Sequence, residues 1–429
     1  MVRLFLTAFT LASIAFCTLA QEAPPARFFI EKIEVRNAAR VSPKIIVSES
    51  LLREGAEYSE DDLRAASARL SRLPFLLSAD FAVEKGTERG HYVLVINVTE
   101  TKPFFFLIDA RATVVDESRR DLDYDIDPAS EPQDAALGFR WFVGGRGMVH
   151  VGLTGRHDRQ AFTSDYSAWA IGYTRYDILG TRAFATLNLR LPIDSPAEGL
   201  ISPQLIAGVP LTANQTLTLD YEDTFFRRDT IHLLDTAFHR QDAERLVSLA
   251  WTYNSTNQPF VPTRGTIVRI APLRSMRDRA SYQFVHPIPG PPPEPYAEHQ
   301  NGYGLDFVAL RYWELSELNS VSAGVLAGWA DVEDRQHPRT FGTDIRWRPA
   351  YQIVRAGWSR NLRRDDSKEG DSRIELDGRL VRRQRNVREG AAAFGVSPNN
   401  EDTLQASASW VRRSHWGTFR VGVGYAWGY

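Results

Sequence analysis

The stretch Thr418–Tyr429 (TFRVGVGYAWGY) decides the fold. Phe419, Val421, Val423, Tyr425, Trp427 and Tyr429 share one parity, and Thr418, Arg420, Gly422, Gly424, Ala426 and Gly428 share the other. Side chains alternate faces along a strand, so this pattern predicts one fully apolar face and one small or polar face. The apolar face predicts contact with lipid, while Arg420 and the glycines line an interior. A strand of this kind ending in an aromatic suits closure of a barrel at its seam.

Working backwards, the same alternation recurs. Leu404, Ala406, Ala408 and Trp410 alternate with Gln405, Ser407 and Ser409, and Val321, Ala323, Val325, Ala327 and Trp329 with mostly Ser and Gly. Val247, Leu249, Trp251 and Tyr253 repeat it. After Pro103 no helical period appears, and about 14 to 17 such segments follow. Residues 104–429 hold about 16 strands at about 20 residues each with connections. A soluble sandwich or propeller uses similar strands, but tryptophan and tyrosine cluster near segment ends, as in an interfacial girdle. The expectation is an all-β transmembrane antiparallel barrel of about 16 strands. Two connections stand out: the acidic stretch 116–134, and the proline-rich stretch 286–300, which is read as a long external loop.

The start of the chain sets the compartment. Met1-Val2-Arg3 precedes an apolar run from Leu4 to Leu19, and Thr18-Leu19-Ala20 offers small residues for cleavage before Gln21. Residues 1–20 are therefore predicted to be a signal peptide and 21–27 a linker. Cys17, the sole cysteine, lies within the leader, so the mature chain has no disulfide, thiolate metal site or cysteine nucleophile. The balance of 51 Lys+Arg against 53 Asp+Glu argues against a nucleic-acid partner.

Residues 28–103 carry mixed periodicity and are predicted to form a small α+β domain. Phe28–Arg36 suits a strand. Ser42-Pro43 opens a helix whose left-handed terminator is read as Gly55. Ser59 and Asp62 form a capping box for a second helix ending near Pro74. Ser78–Glu84 and His91–Val98 read as two further strands, giving the order strand-helix-helix-strand-strand.

Motifs for covalent chemistry are missing. Asp121, Asp123, Asp125 and Asp127 alternate, but Ile126 and Pro132 occupy positions where a calcium loop needs Gly and Glu. No HExxH, G-x-S-x-G or P-loop occurs, so no enzyme activity, cofactor or metal is expected. The basic run Val381–Arg388 (VRRQRNVR) is read as lumen or loop arginines.

The small domain resembles a POTRA domain, the periplasmic module of the BamA/TamA outer-membrane assembly superfamily (bacterial surface antigen family). The residues that carry the likeness are FFIEKIEVRN, SLLREGAEYSEDDL, ARLSRLPFLLSADFAVEKG and YVLVINVTETKP. In the barrel, YDILGTRAFATLNL (176–189) is similar to the family's N-x-x-G-T strand pair and VPTRGTIVRI (261–270) to its P-T-x-G strand. The family's V-R-G-[FY] lock finds only a degenerate counterpart in Val354-Arg355-Ala356-Gly357-Trp358.

The resemblance implies a single-POTRA protein in the bacterial outer membrane, with the POTRA domain in the periplasm. It would insert outer-membrane proteins or translocate secreted ones. The alternatives are a dedicated secretion translocator and a passive pore. Implied partners are unfolded client chains, outer-membrane lipid and periplasmic accessory proteins. Clients would add to the POTRA edge strand (Ser78, Ala79, Asp80, Phe81, Ala82 and Val83) by backbone pairing. The first and last barrel strands would meet at a seam that opens laterally. By family analogy the terminal aromatic strand is also an assembly signal. Val423→Asp places a charge on the lipid face at a cost of up to a few kcal/mol. Loss of the heat-modifiable barrel from outer-membrane fractions is the expected result, and normal accumulation overturns the lipid-facing assignment.

Overall fold

A computed structural model describes residues 27–115, 133–157, 166–192, 202–233, 236–257, 262–285, 296–330, 350–363, 372–384 and 400–428. The leader, the linker up to residue 26, the aspartate run 121–127 and Tyr429 lie outside the described residues.

The small domain runs β1 (Arg27–Arg36), α1 (Pro43–Ser50), β2 (Ala56–Ser59), α2 (Glu60–Ser71), β3 (Leu76–Lys85) and β4 (His91–Glu100). Its sheet order is β2-β1-β4-β3, with β1 and β4 parallel and the other pairs antiparallel. Strand β2 is absent from the sequence-based order. Its four residues are too few to show period two, and its antiparallel pairing with β1 defines it. The capping box of α2 forms: Ser59 Oγ accepts the Asp62 N–H at 3.2 Å, and the Asp62 carboxylate accepts the Ser59 N–H at 2.9 Å. Helix α1 ends earlier than expected, at Leu51 in the left-handed region (φ 62). Gly55 (φ 75) instead makes the turn into β2, donating its N–H to the Ile30 carbonyl at 2.7 Å. Ile30, Ile45, Ile46, Leu70, Leu94 and Ile96 are wholly buried between helices and sheet. Removing such side chains from water supplies about 1.5–3 kcal/mol each.

The barrel comprises β5 (Phe104–Val115), β6 (Gln133–Val143), β7 (Gly147–His157), β8 (Tyr166–Ile178), β9 (Ala183–Pro192), β10 (Ser202–Pro210), β11 (Gln215–Leu233) and β12 (Thr236–Asn254). It continues through β13 (Gly265–Val285), β14 (Tyr296–Glu314), β15 (Asn319–Ala330), β16 (Ala350–Arg363), β17 (Ser372–Gln384), β18 (Asn400–Ser414) and β19 (Gly417–Gly428). Each strand pairs antiparallel with the next, and the ring closes when β19 pairs with β5.

Three expectations are corrected. Among the described residues the barrel has fifteen strands, one fewer than expected. Strands β11 to β14 run 19, 19, 21 and 19 residues, so they absorb chain that uniform spacing assigned to a sixteenth strand. Strand β14 begins at Tyr296 and β6 at Gln133, so the ends of both presumed loops, 286–300 and 116–134, are strand. Nor is the barrel wholly antiparallel. In an up-and-down ring with an odd strand number, first and last run the same way, and β19 and β5 pair in parallel from Gly417↔Phe106 to Ala426↔Val115.

The period-two pattern sorts the walls. Leu137, Phe139, Trp141, Leu376, Val421 and Val423 stand exposed on the outside, while Gln204, Glu222, Asp306, Arg373 and Asp377 face inward. An apolar exterior on a ring without free edges is the sheet form that crosses a membrane. Among the described residues no helix is long and apolar enough to do so.

Gly417 opens β19 at φ +153, and a Cβ there would lie 1.8 Å from the Phe106 carbonyl oxygen across the parallel pair. Gly417→Ala must push the two strands apart, whereas at Gly378 the nearest atom to an added Cβ is 3.8 Å away. Gly417→Ala is expected to lower the temperature at which the folded band converts to the unfolded band on semi-native gels. The loss is about 1–3 kcal/mol, and Gly378→Ala should leave that temperature unchanged.

Candidate functional site

The sheet order leaves two edges, the four-residue β2 and the ten-residue β3, and β3 is the long one. Alternate residues of an antiparallel strand aim N–H and C=O at the partner. Gly86 donates to the His91 carbonyl at 2.9 Å, which turns the even positions Asp80, Ala82 and Glu84 toward β4. The odd positions face outward. At Ala79 these groups are taken by α2: Ser67 Oγ donates to its carbonyl at 2.5 Å and Ser71 Oγ accepts from its N–H at 3.3 Å. The edge left for a partner is therefore Phe81, Val83 and Lys85. Ser78, Asp80 and Ala82 belong to the same strand but do not offer outward backbone groups. Lys85 was missed from sequence because the strand runs to residue 85. Residues 82–85 are exposed, and Phe81 packs partly on the core.

The turn from α2 to β3 sits against the barrel end nearest the small domain. Arg72 donates to the Thr256 carbonyl at 3.0 Å in the β12–β13 connection and to the Ala213 carbonyl at 2.8 Å in the β10–β11 turn. Phe75 packs edge-on against Phe142 of β6 and Tyr176 of β8, with centroids 5.1 and 5.4 Å apart. Arg140 of β6 donates to the Pro74 carbonyl, and Arg413 of β18 to the Leu76 carbonyl at 3.2 Å. With contacts on β18, β6, β8 and the β10–β13 side, the turn crosses the mouth. Burial pulls the Arg72 guanidinium down to about 10, still cationic at neutral pH.

Glu49 of α1 is also buried near this junction, 2.7 Å from Arg69. Burial pushes its carboxyl up, and the Arg69 charge opposes the shift. The segment 176–189 forms the β8–β9 hairpin beneath this junction. Asp177, Leu179, Gly180 and Arg182 all have positive φ, and Asp177 meets Arg146 at 3.3 Å.

Arg355 lies on the strand β16 and not on a loop. Its Nε donates to Asp377 at 2.6 Å, and Arg379 donates to the other oxygen of that carboxylate at 2.6 Å. Beside them Arg373 pairs with Glu375, which also meets Arg420 of β19 at 3.4 Å. Arg373 reaches the Pro262 carbonyl at 3.3 Å, so the segment 261–270 delivers Pro262 to the lumen wall before β13 begins. Pro262, Arg355, Arg373, Glu375, Asp377 and Arg420 line a lumenal cavity of about 80 Å³. Among the described residues no group of metal-ligating side chains gathers.

On β19, Val421 and Val423 are exposed on the outside, and Phe419 and Tyr425 are half-buried on the same parity. Trp427 shares that parity by register with Leu404. Strand β19 starts beside the small domain, where His415 accepts from the Lys102 N–H at 2.8 Å, and runs away from it. Gly428 thus lies at the far end.

Comparison with family models and with curated proteins gives no match. Among solved structures, the chain is similar to BamA from Haemophilus ducreyi lacking POTRA domains 1–3, at 12% identity over 92% of this chain and 80% of that chain, TM-score 0.44. It is similar to CdiB from Escherichia coli at 11% identity over 92% and 72%, TM-score 0.42. For CdiB from Acinetobacter baumannii the values are 10% identity, 90% and 70%, and 0.36.

Phe75 and Arg72 hold the turn at the mouth. The double variant Phe75→Ala/Arg72→Ala is expected to free the small domain, seen as several-fold faster proteolysis at the α2–β3 turn and higher single-channel conductance. An unchanged conductance would show that the turn does not obstruct the barrel.

Proposed function

We propose that this chain is a BamA/TamA-type outer-membrane protein that hands extended client chains from a periplasmic POTRA domain to its own barrel, for insertion or translocation. The observation that carries this reading is the outward-facing backbone of Phe81, Val83 and Lys85 on the edge strand of a domain docked across the barrel mouth. Backbone pairing at an edge is tolerant of client sequence, as a handler of many chains requires. The family motifs in the small domain point the same way. No step needs covalent chemistry, and the described lumenal arginines Arg355, Arg373, Arg379 and Arg420 pair with Glu375 and Asp377. The turn across the mouth speaks against a passive pore.

Placing the domain in the periplasm makes the near-end turns periplasmic and the long far-end connections external. Insertion and dedicated translocation differ in client range. Depleting the protein and surveying the outer-membrane proteome separates them: broad loss of barrels supports insertion, and loss of one exported protein supports a dedicated translocator.

Val83→Pro removes an outward donor while leaving the β3–β4 ladder intact. Photocrosslinking of nascent clients from a probe at Asp80 is expected to fall several-fold, with the heat-modifiable barrel unchanged. Ala82→Pro, whose N–H faces β4, should instead destabilise the domain itself. Undiminished crosslinking in Val83→Pro would remove β3 as the docking edge.

A further inference from the structure

Two arginines stand on the outer wall of β13 and β14, one toward each end of the barrel. The outward residues of β14 are Tyr303, Leu305, Phe307, Ala309, Arg311 and Trp313, while Gly302, Gly304 and Asp306 between them are buried. Arg274 of β13 pairs opposite Tyr303, and its guanidinium lies over that ring, 5.7 Å from the centroid. At the small-domain end Arg311 lies over Trp313 at 6.0 Å. Only the apolar Leu305, Phe307 and Ala309 separate the two stacks on this face of the strand. From Tyr303 to Trp313 the strand rises about 34 Å. At a tilt of about 35–45° that is about 24–28 Å along the barrel axis, against an apolar band about 25 Å tall on membrane barrels. The two arginine–aromatic stacks therefore mark the two rims of the band, at the level of the headgroups.

Neighbouring strands draw the far rim at the same height. Tyr221, Val247, Arg274 and Tyr303 are successive cross-strand partners in one row. On the membrane side of that row Leu219, Leu249 and Leu305 are exposed. On its other side Asp223 meets Arg245 at 3.7 Å. A guanidinium stays charged, and hydrocarbon offers it no counter-charge. Arg245 has Asp223, but among the described residues no carboxylate pairs with Arg274 or Arg311, and Arg311 donates only to the neutral Thr266 hydroxyl at 2.9 Å. The ring beneath each guanidinium holds it in place and leaves donors for an outside acceptor. Phosphate accepts from such a fork through two parallel hydrogen bonds, and it is the acidic group that lipid headgroups hold at this depth. We infer that Arg274 with Tyr303, and Arg311 with Trp313, are clamps for lipid phosphates, one in each leaflet, which seat lipid against the β13–β14 wall. The inference rests on the barrel crossing a membrane and is independent of client handling.

The test uses the full-length protein in detergent micelles doped with phosphatidic acid, or with diacylglycerol of the same acyl chains and no phosphate. Bound lipid is counted by native mass spectrometry, and heat-modifiability on gels confirms the barrel in each variant. The wild type is expected to retain phosphatidic acid several-fold better than diacylglycerol. Arg274→Gln and Arg311→Gln should each lose part of that preference, and the double variant nearly all of it. Arg89→Gln removes an exposed charge from the small domain and should change nothing. The double lysine variant keeps both charges without the fork, and covers the case in which glutamine prevents assembly; it should show a several-fold loss.

Undiminished preference in the glutamine or the lysine double variant overturns the inference, as does an equal loss in Arg89→Gln. A loss confined to one of the two single variants overturns the paired arrangement. Displacement of the lipid by millimolar inorganic phosphate would mean a site for the free anion, and overturns the assignment to lipid.

Discussion

The structure depends on one requirement: every main-chain donor and acceptor that meets lipid needs a partner within the chain. For strands this demands a ring, and a ring must close on whatever the strand number allows. Fifteen alternating strands bring β5 and β19 together in the same direction, so the requirement is met by the one slanted ladder in the barrel. The positive φ of Gly417, its lack of a Cβ and its close approach to Phe106 are local consequences of that closure.

The small domain obeys the same rule at its outer edge with a different outcome. There, α2 satisfies Ala79 through Ser67 and Ser71 and leaves the outward groups of the following odd residues to solvent. A water-exposed edge tolerates such groups, and in doing so it stays available to another chain. Attachment to the barrel uses arginines that donate to carbonyl oxygens at turns, where backbone acceptors have no strand partner. Phe75 supplies the apolar centre of that contact.

Much of this was legible from period alone. The C-terminal alternation placed Val421 and Val423 outside and Arg420 inside, because inward and outward environments differ so sharply in a membrane barrel. The capping box at Ser59 and Asp62 was legible because two side chains at fixed spacing suffice to make it. What was not legible depends on pairing across the sequence. Strand β2 exists only because β1 lies beside it, and the outward aim of Phe81 follows from its register with β4. Strand number was misjudged because β11 to β14 are far longer than a bilayer demands. Leu51 ending α1 in place of Gly55 is a tertiary override of local propensity, since a leucine carries a steric cost in that conformation.

The β12–β13 connection has a consequence that its hydrogen bonds alone do not convey. One limb, at Thr256, is held by Arg72 of the small domain; the other, at Pro262, is held by Arg373, which shares Glu375 with Arg420 of the closing strand. The docked domain and the closing strand are therefore joined through one short connection and one shared carboxylate. Thermodynamic linkage makes such an arrangement reciprocal. Any free energy by which undocking of the small domain eases release of β19 is also the free energy by which release of β19 eases undocking.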